Sequence, residues 1–388
     1  MDSHAGQAPP GEGTSVSEPR VRIYGHSRGE HSFPQVTRGM CRALEAAGEF
    51  AGFCPIDRDA DEWEEALGPD APVSLNIGAP MGLMQAHRMG SHRSHWLLLA
   101  PNSESLPKGL MEALLAPSDV LPRGLLTGGL LAPSAWAAAV LRRAAPATMP
   151  VVVAPHGVSP EVHKIDREAR DAARTSFRLG QFNVLHMTSS ETERKGTKLL
   201  LRAWKQAKLE GFLPKSAKLF VAMNPQHMSK LRWWCEDLNL GDDDIQVSPG
   251  LVYDQAGVAG MYGSMHAVCQ PSRGEGFGMV PLEALACGVP IIATACTGHA
   301  EYLGIRPPGT VIVEHHALAP MDDFPGSMAP IVTQMAIRDA LASAFVAWES
   351  LAERAEQNAE AIASAWSWEN KNVPAIRRMI QEAEKHVR

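Results

Sequence analysis

The sequence predicts an α/β protein of two domains, built on mostly parallel sheets with helices on both faces. Three observations predict it. Short apolar runs alternate with stretches of helical apolar spacing through most of the chain. The alternation breaks at Pro155-His156-Gly157-Val158, with Pro160 just beyond. The length of 388 residues fits two domains at roughly 100–200 residues each.

The elements follow in order. Val21-Arg22-Ile23-Tyr24 is a short strand candidate, followed by the glycine-containing loop Gly25–Ser32. Val36, Met40, Ala43, Leu44 and Ala47 recur at helical spacing over about Phe33–Ala47, and Gly48 stops that helix. Val73–Ile77 and Trp96–Leu99 read as buried strands, and Leu130–Ala132 leads through Pro133-Ser134 into an alanine-rich helix ending at Arg143. Val151–Val153 closes this half. The second half opens on a strand at Phe182–Met187. Helices are expected at Lys198–Lys208, His227–Leu238, Asp254–Ser264 and Pro281–Cys287, and strands at Lys218–Ala222, Ile245–Val247, His266–Gln270 and Ile291–Thr294. Three helices, near Ile337–Trp348, Leu351–Trp366 and Val373–Val387, end the chain. Such alternation argues for parallel sheets.

The bulk numbers exclude several classes. A net charge of −7, from 36 basic and 43 acidic residues, argues against a large nucleic-acid footprint, which needs a basic face. Cys41, Cys54, Cys235, Cys269, Cys287 and Cys296 form no CxxC pair and no zinc-finger spacing. Scattered thiols fit a reducing, cytoplasmic compartment. Residues 1–20 are rich in Gly, Pro and Ser, lack an apolar signal core, and read as a disordered tail. No stretch of about 18 apolar residues is present, so no integral membrane association is expected.

Chemistry concentrates between Gln270 and Pro290. Gly274, Gly276 and Gly278 precede a helix whose first position suits Pro281, with Glu283 in its first turn, Gly288 as the C-cap and Pro290 beyond. Glycines permit close approach of a ligand to the main chain, and helix N-termini bind anions. This predicts a phosphate cradle flanked by Glu275 and Glu283. Carboxylates are poor partners for phosphate and good partners for sugar or ribose hydroxyls. Phosphate plus polyol describes a nucleotide sugar.

Glu275 and Glu283, with seven residues between them, resemble the E-x7-E motif of retaining GT-B glycosyltransferases, notably glycosyltransferase family 4. The surrounding PSRGEGFGMVPLEALACGVPIIAT is similar to that family's signature. Glu193-Arg194-Lys195-Gly196 resembles the family's basic segment after the first donor-domain strand, and Val153–Val158 resembles its interdomain segment. Ser105-Leu106-Pro107 and Ala132-Pro133-Ser134 look like acceptor-domain elements, and Trp368-Glu369 resembles the crossover back to the first domain. The likeness is densest from about 180 to 305.

The resemblance implies a GT-B fold, two Rossmann-like domains facing across a cleft. An acceptor domain would span 21–158 and be completed by the helix 367–388, and a nucleotide-sugar domain would span 159–366. It implies that Arg194 and Lys195 bind the donor diphosphate, that Glu275 contacts the transferred sugar, and that the amides of Gly276, Phe277, Gly278 and Met279, leading into Val280, hold hydroxyls and phosphate. Glu283 would hold the ribose, and Leu251 and Val252 would wall the base. Gly29, in the loop after the first strand, could approach the diphosphate. Many family members carry a Gly-Arg pair where this chain reads Thr188-Ser189-Ser190, which leaves Arg194 to take that place.

The implied reaction retains anomeric configuration, with a UDP- or GDP-sugar as donor and no permanently bound cofactor. No DxD motif stands at a convincing strand end; Asp242-Asp243-Asp244 lies in a helix-to-strand turn and reads as exposed, so donor activation without metal is expected. His87, His92 and His95, with Arg88 and Arg93, read as surface-loop histidines, with acceptor binding as the functional alternative. The acceptor is open: small molecule, glycan, protein or modified DNA base. A sugar-nucleotide epimerase or phosphorylase on a related fold, and a binding protein that keeps the pocket without turnover, are the competing classes.

Overall fold

The computed structural model describes residues 20–26, 32–56, 71–77, 86, 92–101, 106, 109–116, 124, 126–176, 181–188, 193–223, 225–248, 255–321 and 324–387. The expected tail (Arg20 apart), Gly29, His87, Arg88, Ser189, Ser190, Leu251 and Val252 lie outside the described residues.

The first half runs β1 (Val21–Gly25), α1 (Ser32–Ala47), β2 (Phe50–Pro55), β3 (Val73–Ile77), β4 (Ser94–Leu98), α2 (Leu110–Leu115), β5 (Gly129–Ala132), α3 (Ala135–Ala144) and β6 (Val151–Val153). Its six strands form one sheet in the order β2-β1-β3-β4-β5-β6, and every neighbouring pair is parallel.

The second half runs α4 (Arg167–Ser176), β7 (Asn183–Met187), α5 (Thr197–Leu209), β8 (Lys218–Ala222), α6 (Met228–Asp237), β9 (Ile245–Ser248), α7 (Gln255–Ser264), β10 (Ala267–Gln270), α8 (Met279–Ala286), β11 (Ile291–Ala293), α9 (Ala300–Leu303) and β12 (Thr310–Ile312). These strands form a second six-stranded sheet, order β12-β11-β10-β7-β8-β9, again parallel throughout. An antiparallel hairpin follows, β13 (His315–Met321) and β14 (Phe324–Val332). The helices α10 (Gln334–Val346), α11 (Trp348–Ala365) and α12 (Trp368–Val387) complete the chain.

Alternating side chains cover both faces of each sheet, as parallel sheets require. Val21, Ile23, Leu75 and Trp96 pack with Met40 and Leu44 of α1 and with Ile376 and Met379 of α12. Leu97 and Leu130 pack oppositely against Leu114, Ala137 and Leu141. In the second sheet Val184, Leu219 and Val221 pack against Leu200, Trp204 and Leu341, while Leu185, Val268 and Ile291 face Tyr262, Leu282 and Leu285.

The outgoing and returning chains run side by side between the halves. Val158 bridges Ser367, its amide donates to the Trp366 carbonyl at 2.8 Å, and Asn372 Nδ2 donates to the Pro155 carbonyl at 2.8 Å. The Trp368 indole lies against α1 at Gly39, where a Cβ would stand 2.1 Å from the ring.

Several expectations need correction. Helix α8 begins at Met279, capped by Gly278 at φ 80°, so Pro281 is its third residue and Glu283 lies beyond the first turn. Any of the first-turn positions tolerates proline, because their amides have no intrahelical partner. Likewise α12 starts at Trp368 and holds Pro374 inside, earlier than the expected Val373. His95 is no surface-loop residue: β4 starts at Ser94, two residues before the expected strand, and buries it. Asp242 and Asp243 are exposed as expected, but Asp244 accepts from Lys208 Nζ at 2.6 Å. Strands β2 and β12, the hairpin, and helices α2, α4 and α9 were not expected. Gly52 masks β2, and Pro320, Pro325 and Pro330 break the hairpin's strand signal.

Candidate functional site

Strand order in the second sheet reverses between β7 and β10, the kind of position at which open parallel sheets bind ligands beyond the carboxyl ends of the strands. The loops leaving those two strands meet there. Gly196, the cap of α5 at φ 72°, leaves no room for a Cβ, which would lie 2.4 Å from the Pro271 carbonyl oxygen. The Arg273 amide donates to the Arg194 carbonyl at 2.7 Å. The Arg273 side chain ties the loops further: Nη1 reaches Glu193 at 2.6 Å and Nε donates to the Pro330 carbonyl of β14 at 3.0 Å.

Glu275 sits between two cations. Its Oε2 is 3.0 Å from Arg194 Nη1 and its Oε1 is 2.7 Å from Lys195 Nζ. Arg194 Nη1 also donates to the Gly274 carbonyl at 2.5 Å. Burial alone would raise the Glu275 carboxyl; Arg194 and then Lys195 outweigh it and hold the group well below the usual carboxylate range. The Glu275 backbone is fixed from β11's following loop: its amide donates to Thr297 Oγ1 at 3.0 Å and its carbonyl accepts from the Gly298 amide at 2.8 Å. His299 lies beneath the same loop, Nδ1 3.1 Å from the Thr294 carbonyl, and burial lowers its pKa to about 4. Its Nε2 is buried with no hydrogen-bond partner. The His299 ring fills the space where a side chain on Gly278 would go, 2.1 Å from a hypothetical Cβ.

The glycines of the loop between β10 and α8 also meet the first half of the chain. A Cβ on Gly276 would stand 2.9 Å from Ala100 Cβ, and the Gly276 carbonyl accepts from Ser134 Oγ at 2.7 Å. Ser134 caps α3, whose Ala135 amide donates to Glu301 at 2.7 Å. Phe277 is buried beside Tyr302, His156 and Trp366. Gly278, Met279 and Val280 are half-buried at the start of α8, where backbone N–H groups and the helix dipole favour an anion. Glu283, one turn on, is buried and has its own partners: Tyr262 Oη donates at 2.7 Å and Gln35 Nε2 at 2.5 Å.

The fold thus brings Arg194, Lys195 and Glu275 into ion-pairing contact and sets Gly276–Val280 beside them. Glu283 stands apart on α8, and Gly29, Leu251 and Val252 fall outside the described residues. The arrangement can neutralise an added anion, since two cations share one carboxylate, and it can offer two acidic groups to hydroxyls. Sequence reasoning assigned nothing to Arg273, Thr297, His299, Tyr262 or Gln35. Thr297 and His299 carried a usable signal, lying just past a strand's carboxyl end. Tyr262 and Gln35 carried none, because only the folded topology brings them to Glu283.

The architecture is GT-B, and comparison with known proteins agrees. Sucrose-phosphate synthase from Thermosynechococcus elongatus aligns at TM-score 0.63 and 16% identity over 95% of this chain and 99% of that one. HepE from Anabaena, solved in complex with UDP and glucose, aligns at TM-score 0.61 and 15% identity over 95% of this chain and 99% of its own. Residues 181–336 match the family model described as Glycosyl transferases group 1, the span that holds every ion pair of the Glu275 cluster. The D-inositol 3-phosphate glycosyltransferase 1 of Catenulispora acidiphila is 31% identical over 186 residues, 42% of this chain and 43% of that protein. The chain spans less than half the length of the curated relatives it matches. No helix among the described residues is long and apolar enough to cross a membrane.

Proposed function

We propose that the protein is a retaining glycosyltransferase that moves a sugar from a UDP- or GDP-sugar to an acceptor hydroxyl, without a metal ion. One observation carries this reading: Arg194, Lys195 and Glu275 form a buried ion cluster at the sheet's switch point, inside the segment that matches the glycosyltransferase model. The structural likeness to a protein solved with UDP and glucose supports a nucleotide sugar as donor.

In this reading residues 159–366 hold the donor, and residues 21–158 with 367–388 hold the acceptor. The diphosphate draws Arg194 and Lys195 from Glu275, because its charge exceeds that of one carboxylate. The amides at Gly276–Met279 and the start of α8 take its remaining oxygens. Glu275, released in part, orients the sugar hydroxyls. Glu283 receives the ribose, the segment of Leu251 and Val252 receives the base, and Gly29 approaches the diphosphate.

The bond from the anomeric carbon to the diphosphate oxygen breaks as the acceptor oxygen bonds to the same face. The acceptor's proton passes to the departing phosphate oxygen. Arg194 and Lys195 stabilise the charge that grows on that oxygen, the task a metal performs elsewhere. A cytoplasmic setting, where nucleotide sugars are available, fits the free thiols.

The test is product analysis with a panel of UDP- and GDP-sugars and candidate acceptors in chelator-containing buffer. Proton NMR of the first-formed product should show the donor's anomeric configuration. Inversion contradicts retention, and turnover that requires added metal contradicts metal independence.

A further inference from the structure

The Glu283 carboxylate is held from two sides. Its two oxygens are served by different elements and different halves of the chain. Oε2 accepts from Tyr262 Oη of α7 at 2.7 Å. Oε1 accepts from Gln35 Nε2 of α1 at 2.5 Å, and His163 Nε2 stands 3.9 Å from the same oxygen. Tyr262 is fully buried and Glu283 is 4% exposed, whereas Gln35 is half-buried at the edge of the seam between the halves. The two partners therefore differ in kind. Tyr262 cannot leave without unpacking α7 from α8, where it lies in the core with Leu282 and Leu285. Gln35 is the end of a flexible side chain reaching across from the other half.

We propose that Tyr262 is a positioning residue that fixes Glu283 for the ribose of the nucleotide, and that Gln35 occupies the Glu283 oxygen that a ribose hydroxyl takes over. This rests on the reading of Glu283 as the ribose partner. Three features support the division of labour. The phenol stays a donor, because burial first and the Glu283 charge second push its pKa well above the usual range. Tyr262 holds Oε2 and Gln35 holds Oε1, so a hydroxyl arriving at Oε1 meets Gln35 and leaves the phenol bond in place. A buried carboxylate stripped of its partners is costly, and Gln35 supplies the missing bond while the site is empty. Nucleotide arrival then replaces a bond between the two halves with a bond to the ligand, which couples occupancy to the seam.

The test is calorimetric titration of the full chain with UDP and GDP and with their 2′,3′-dideoxy counterparts, which lack both ribose hydroxyls. The wild type should bind the ribonucleotide more tightly than the dideoxy form. Tyr262→Phe, which removes one oxygen atom, should weaken ribonucleotide binding roughly tenfold and leave dideoxy binding unchanged, so that the ratio collapses. A purely structural role for Tyr262 would weaken both alike. Gln35→Ala should tighten ribonucleotide binding severalfold, since a competitor is gone; it needs no change in the core and serves even where Tyr262→Phe folds poorly.

A wild type that discriminates while Tyr262→Phe keeps the full ratio, or a Gln35→Ala variant that binds ribonucleotide more weakly, overturns the inference alone. A wild type that binds the ribo and dideoxy forms equally overturns the ribose assignment of Glu283 and the inference with it.

Discussion

Glu275 and Glu283 are both buried carboxylates within one short segment, yet their partners differ and so should the effects of removing them. Glu275 faces two cations that a diphosphate can claim; Glu283 faces a phenol and an amide. Glu283→Ala is expected to weaken nucleotide binding ten- to a hundredfold, since a hydrogen bond to a charged group is worth roughly 1.5–3 kcal/mol. Glu275→Ala is expected to lower turnover chiefly, with donor affinity changed less, because the cations it releases remain to bind the diphosphate. Titration calorimetry and steady-state kinetics on the two variants check this. Equal affinity and equal rate in both would remove these residues from the site. The grouping of Arg194, Lys195 and Glu275 was legible in the sequence because each lies in a short local motif. Tyr262, Gln35 and His299 were not, because their nearness to the carboxylates depends on how distant elements pack.

At the scale of elements, most of the second sheet could be read from short apolar runs between helical stretches. Strands β7, β8, β9 and β10 appear within a residue or two of their expected limits. The hairpin β13–β14 escaped for a physical reason: three prolines interrupt its pattern, which a two-stranded ribbon outside the main sheet tolerates. Pro281 also displaced the expected start of α8, since proline suits the whole first turn and not its first position alone, whereas Pro374 lies past the first turn of α12, inside the helix. Helix α1 presents a different case. Gly39 sits within it because the Trp368 indole, 1% exposed, lies on its backbone. A Cβ there would meet ring atoms at 2.1–2.6 Å. Gly39→Ala should therefore destabilise the protein by about 1–3 kcal/mol of overpacking, less roughly 1 kcal/mol of gained helix propensity. Urea unfolding measures it, and a variant more stable than wild type would contradict this account of the α1–α12 contact.

At the scale of the whole molecule, three of the buried histidines among the described residues tie stability to pH. Burial lowers His156 to about 3, and lowers His186 and His299 to about 4. Their unfolded values are near 6.5. The unfolded chain thus binds protons that the folded chain refuses, so stability is full above about pH 6.5 and declines as pH falls toward 4. Each tenfold difference in proton affinity corresponds to about 1.4 kcal/mol, so the combined loss is on the order of several kcal/mol. Urea midpoints at pH 7.5, 6 and 5 should fall in that order; an unchanged midpoint at pH 5 would contradict the neutral, buried state of these rings.

The seam between the halves carries the function proposed for the chain. Ser134 to Gly276, Ala135 to Glu301 and Gln35 to Glu283 all join the first half to the second, at or near the segment from β10 to α8. The cations lie just inside that seam. The departing diphosphate gains charge as the sugar bond breaks, and preorganised cations act most strongly on that added charge. The most direct measurement is the rate of nucleoside diphosphate release from a UDP- or GDP-sugar, in chelator, by wild type, Arg194→Ala and Lys195→Ala. The account predicts turnover by the wild type, a loss on the order of a hundredfold or more in each variant, and smaller changes in donor affinity. Wild-type rates in both variants, or turnover that chelator abolishes and manganese restores, would contradict it.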